Sequence, residues 1–124
     1  MNKKYQIKIY EKLIGYTSLE KADAPMGVVF GEITFIEQEF GYNSIKKYCM
    51  DNKISLAYDY PEDKMISTMT ISELKVMNDK GVEIKGIGNQ ISGKDNDEYE
   101  ISIFGIPYPF YEKEFPHHVE QYEN

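Results

Sequence analysis

Two histidines, His117 and His118, and a single cysteine, Cys49, are the residues of this 124-residue chain best suited to proton transfer, metal binding or nucleophilic attack near neutral pH. The histidines are consecutive, so on a helix their rings diverge. They lack the i, i+4 spacing by which two helical histidines reach one zinc ion. Packing or a helix end is therefore the expected role of the pair. Cys49 with His118 is the one Cys–His combination that the fold could assemble, and no Gly-x-Ser-x-Gly elbow offers a serine nucleophile. Cys49 also falls on the apolar stripe of a predicted helix, which makes a buried structural thiol the better reading.

The remaining chemical motifs are weaker still. Gly27 and Gly31 precede no Walker lysine and no third glycine at dinucleotide spacing, so they do not form a phosphate loop. The run Lys94-Asp95-Asn96-Asp97-Glu98 suggests calcium only until the later loop positions are read. Glu100 stands where an EF-hand needs glycine, and Ile106 stands where it needs glutamate. A solvated turn is expected there. Twenty-one acidic residues make carboxylate pairs uninformative about glycosidase chemistry. Neither a metal nor another cofactor is expected.

Charge narrows the class of partner. The net charge is -7, and all fourteen basic residues are lysine, so the bidentate fork favoured by phosphate and carboxylate sites is missing. Nucleic acid is excluded as an expected ligand, because its affinity comes from cations neutralising phosphates. An acidic chain suits solubility, or a basic partner steered in from a distance. One cysteine forms no internal disulfide, which fits a reducing compartment. Met1 to Tyr5 lead into no apolar run, and no window approaches a membrane span, so a cytoplasmic location without membrane contact is expected.

The elements that must position these groups follow from periodicity. Tyr5, Ile7 and Ile9 alternate with polar residues and read as the first strand of a hairpin, with Leu13 to Leu19 as the second. Val28 to Ile36 is β-branched and aromatic, and its internal Gly31 marks a bulge or a close backbone approach. A helix is predicted over Ser44 to Asn52, capped by Asn43 or Ser44, with Ile45, Tyr48 and Cys49 on its apolar face. Met65 to Met77 reads as strand with a change of parity at Ser72-Glu73. Asn78 to Gly81 is a turn before Val82 and Ile84 resume the alternation. Tyr99, Ile101 and Ile103 form a last strand with one wet face. Beyond it lie three of the five prolines, five aromatic residues and both histidines, from Phe104 to His118. Pro107, Pro109 and Pro116 restrict this segment to one course, with a short helix expected to end near Phe115.

Together these features predict a single α+β domain over residues 1–124. Its sheet is mainly antiparallel and twisted, of about five to seven strands, with one main helix and short C-terminal helical turns. The expected core is Ile7, Ile9, Leu13, Val28, Phe30, Ile33, Ile45, Tyr48, Leu74, Val76, Val82, Ile84, Ile101 and Ile103.

An enzyme would need a constellation that the sequence does not offer, whereas a binding domain needs an acidic face and rigid aromatic anchors. The favoured reading is a small acidic protein-binding domain, of the kind that an immunity or inhibitor protein for a basic toxin would be. Its partner-binding residues are expected to be Asp59, Glu62, Asp63, Asp95, Asp97, Glu98, Tyr108 and Tyr111. Neutralising the six acidic groups is expected to leave the fold intact. The alternatives are an oligomerising structural module, which pairs with further copies of itself, and a small enzyme using His118.

Overall fold

Alternation of apolar and polar residues folds the first hairpin as anticipated. In the computed structural model, which describes residues 3–123, β1 (Tyr5–Ile9) pairs antiparallel with β2 (Lys12–Thr17). Tyr10 and Glu11 make the turn with φ of 48° and 66°, the backbone that follows the twist of the flanking strands. Met1, Asn2 and Asn124 lie outside the described residues, as do the outermost ends of the expected domain and the start of the N-terminal segment.

The chain continues through β3 (Lys21–Asp23), β4 (Val28–Glu32), β5 (Thr34–Phe35), α1 (Tyr42–Asp51), β6 (Leu56–Tyr60) and β7 (Met65–Thr68). It finishes with β8 (Leu74–Met77), β9 (Gly88–Lys94), β10 (Tyr99–Phe104), α2 (Phe110–Glu114) and α3 (Pro116–Glu123). The strands form a four-stranded sheet, ordered β5-β2-β1-β8, and a six-stranded sheet, ordered β3-β4-β10-β9-β7-β6. Every pairing between these strands is antiparallel. The α+β class, the antiparallel pairing, the main helix and the short C-terminal helices are those read from the sequence. The strands divide between two sheets, and buried residues of both contribute to one hydrophobic cluster.

The irregular points of the sequence are where the chain changes sheet. The parity break at Ser72-Glu73 lies between β7 in one sheet and β8 in the other. Ile33 separates β4 from β5 at a second change. Gly31 is a close approach: a Cβ there would lie 2.6 Å from Thr17 Oγ1 and 2.9 Å from Leu19 Cα.

Several side chains face otherwise than expected. Val28 and Phe30 are only half-buried, and the inward positions of β4 are Val29 and Gly31. A glycine carries no apolar signal, so the inward set was read one residue out of register. Ile9, Leu13 and Tyr48 are likewise half-buried. Val82 is 45% exposed, because residues 82–84 meet β8 at an isolated bridge, Met77 with Glu83, and form no strand. Asn78 accounts for that turn: its Oδ1 accepts from the Lys80 and Val82 amides at 2.9 Å each, an Asx-type closure. The helix α1 starts at Tyr42 and ends at Asp51, with neither Asn43 nor Ser44 as its cap.

The proline-rich segment is clamped to the chain between Leu19 and Val28. The Tyr108 hydroxyl donates to the Ala24 carbonyl at 2.8 Å, and that of Tyr111 donates to Val28 at 2.9 Å. His118 Nε2 donates to the Leu19 carbonyl at 2.8 Å. Phe115 is fully buried, with ring centres 5.3 Å from Tyr111, 5.7 Å from His118 and 5.9 Å from Tyr5. Glu114 accepts from the Tyr5 hydroxyl at 2.9 Å and from Asn78 Nδ2 at 3.1 Å, which ties α2 to β1 and to the turn after β8. We expect Phe115→Ala to cost about 3–5 kcal/mol in urea unfolding, since it empties a site lined by three rings. A loss below about 1 kcal/mol would show that the segment is not part of the core.

Candidate interaction surface

The acidic turns that are far apart in sequence meet because β7 pairs with β9. The β6–β7 connection is a short 3-10 turn, Pro61–Asp63, closed by Lys64 in left-handed geometry with φ 52°. The β9–β10 connection turns at Asn96, with φ 64°. The Asp95 amide donates to the Lys64 carbonyl at 3.1 Å and fastens one turn to the other. Between them lies an open concavity of about 460 Å³, lined by Glu62, Asp63, Lys64, Lys94, Asp95, Asn96 and Asp97.

Two acidic residues support this arrangement instead of facing outward. Asp95 Oδ1 accepts the Tyr42 amide at 2.9 Å and the Tyr99 hydroxyl at 2.7 Å. It thereby satisfies an amide at the start of α1, where no side chain of the helix itself serves as cap. Burial, and then Asp95, push the Tyr99 hydroxyl pKa upward, so the phenol stays a donor. Asp59 accepts from the Tyr42 hydroxyl and pairs with Lys46 Nζ at 2.9 Å. Of the six acidic groups expected to be dispensable for folding, these two are bonded into the scaffold.

The other expected residues separate cleanly. Glu62, Asp63, Asp97 and Glu98 are exposed at the turns. Tyr108 keeps one side in water, 47% exposed, while its hydroxyl is engaged. Tyr111 is a correction: it is fully buried, its hydroxyl is bonded to Val28, and burial raises its pKa to about 12. A tyrosine at the core interface and one at the surface look alike in sequence, and only the carbonyls they reach distinguish them.

The groups that first suggested chemistry lie elsewhere, and the two histidine rings, expected to diverge, have centres only 4.1 Å apart. Cys49 is buried on the apolar face of α1, and burial pushes its thiol pKa upward, against thiolate formation. His118 is buried in the C-terminal clamp, its Nε2 occupied by Leu19. His117 is exposed, and its pKa is lowered first by desolvation and then by the neighbouring His118. Among the described residues no group of three or more His, Cys, Asp or Glu is arranged to hold a metal ion. Nor is any described helix long and apolar enough to cross a membrane.

Compared with protein-family models, with curated proteins and with solved structures, the chain matches none.

The pairing of Asp59 gives the fold a defined acid response. The Tyr42 hydroxyl, followed by Lys46, holds the Asp59 carboxyl below the usual carboxylate range. A depressed folded-state pKa contributes stability above the unfolded value and loses it as pH falls through the folded one. Urea unfolding measured from about pH 5 down to pH 2 should show this loss, and Asp59→Asn should flatten the profile in that window. Parallel profiles for the two proteins would mean that the pair does not stabilise the fold.

Proposed function

We propose that this protein is a small acidic binding domain for a basic protein partner, in the manner of an immunity or inhibitor protein that neutralises a basic toxin such as a nuclease. The observation that carries this reading is the convergence of the two acidic turns. Glu62, Asp63 and Asp97 line one concavity and Glu98 is exposed next to Asp97, while Asp95 accepts the Tyr42 amide and Asp59 the Tyr42 hydroxyl and Lys46. Charges mounted on ordered turns steer a cationic surface inward without a further cost of ordering the loop. The net charge of -7 adds to the attraction at longer range. A cytoplasmic location belongs to the same proposal and rests on the solitary, unpaired Cys49. An enzyme using His118 has less support, because its Nε2 is already engaged within a buried contact.

A partner recovered by co-purification from the native cell at low salt, and then purified, tests the reading. Association with the variant Glu62→Gln, Asp63→Asn, Asp97→Asn, Glu98→Gln should be slower by about tenfold or more at low salt, with dissociation less affected. The melting temperature should be unchanged. Association as fast as that of the unaltered protein, or recovery of acidic partners alone, rejects electrostatic recognition by these turns.

A further inference from the structure

Alternation leaves one face of the six-stranded sheet turned away from the core. The cross-strand register places Tyr58, Ser67, Ser92, Glu100 and Glu32 in one row over β6, β7, β9, β10 and β4. Tyr60, Met65 and Lys94 form a row on one side of it, and Gln90, Ser102, Phe30 and Lys21 a row on the other. None of these side chains is buried, whereas the alternate residues Ile66, Ile91, Ile101 and Val29 are fully buried.

The chemistry of this face changes along the strands. At one end the two acidic turns extend beyond Tyr60 and Lys94, and the Tyr58 and Tyr60 rings lie 5.3 Å apart. Over β7, β9 and β10 the middle carries the small, neutral Ser67, Ser92 and Ser102 with Gln90, and Glu100 is matched by Lys21 at 2.7 Å, while Glu32 on β4 adds an exposed carboxylate. At the other end stands Phe104, whose carbonyl accepts from the Ile87 amide, just before β9, at 2.7 Å. Ile87 is 87% exposed, so folding leaves an isoleucine in water beside a partly exposed phenylalanine. Rigid tyrosines interspersed with serines are the composition by which protein-binding surfaces combine contact area with low entropic cost.

We propose that this open sheet face is the docking surface, and that its occupant is a protein presenting lysine or arginine side chains beside an apolar anchor. The cations meet the acidic turns and the anchor meets Ile87 and Phe104. The length of β10 sets the two features about 17 Å apart, at about 3.4 Å per residue. The inference rests on the acidic-turn reading and adds to it where the rest of the partner sits. A second copy of this chain fits less well, since its own acidic turns and its net charge of -7 would be repelled.

Peptide titration followed by amide and side-chain NMR tests the docking face. The probe is a synthetic peptide with lysines at one end, a serine spacer, and leucine and phenylalanine at the other. One control replaces the apolar pair by serine, and a second replaces lysine by glutamate. Saturable binding of the probe is expected, with shifts running from residues 62, 63, 97 and 98 along the serine row to Phe104 and Ile87. Ser92→Arg and Ile87→Ser should each weaken it about tenfold with the melting temperature unchanged. Shifts confined to the turns, with the lysine–serine control binding equally well, overturn the docking face while the acidic-turn reading stands. Equal binding of the glutamate control, or shifts centred elsewhere on the molecule, overturns the basic partner on this face. No saturable binding overturns both readings.

Discussion

One carboxylate, that of Asp95, settles where the main helix begins and where the acidic surface lies. A helix leaves its first amides without partners, and α1 starts after Gly41 with no side-chain cap of its own. Asp95 reaches the Tyr42 amide from a turn far along the chain. The approach is so close that a Cβ at position 41 would lie 2.5 Å from Asp95 Oδ1, which explains a glycine at a position whose backbone any residue could adopt. The Tyr99 hydroxyl supplies a second donor to the same oxygen. Helix, β10 and the β9–β10 turn are thus held at one point.

The remaining surface follows from that attachment. Tyr42 passes the constraint on through its hydroxyl to Asp59 on β6, and Lys46 completes the contact. Lys64 is drawn over the Tyr42 ring, 5.3 Å from its centre, which turns this cation toward the helix. Side chains that anchor and side chains that project are therefore adjacent in sequence but differ in task. Asp95 is consumed by the scaffold, while Asp97 and Glu98 stay in water. The C-terminal clamp acts similarly on the other side of the molecule, where Tyr108, Tyr111 and His118 satisfy three main-chain carbonyls.

Local patterns in the sequence carried much of the fold. Strand alternation at Tyr5, Ile7, Ile101 and Ile103, the apolar face of α1 with Ile45 and Cys49, and the turn at Asn78 all depend on near neighbours in the chain. The features that were missed depend on distant ones. The helix start was misplaced because its partner, Asp95, is not beside it. The register of β4 was misread because its inward position, Gly31, is filled by close approach of Thr17 and Leu19 and not by an apolar side chain. The parity break near Ser72 reads as a bulge or break within one sheet, and nothing local signals that the chain passes there into a second sheet. For the surface, acidic turns were legible as exposed loops. Their meeting was not, because it depends on the pairing of β7 with β9.

Hydrogen exchange at single amides in Asp95→Ala tests most directly whether this carboxylate organises the acidic surface. The account predicts that the Tyr42 amide loses protection, that amides of residues 62–64 and 95–98 exchange faster together, and that Ile91 and Ile101 keep their slow exchange. An unchanged Tyr42 amide, or turns that exchange as in the unaltered protein, would contradict it.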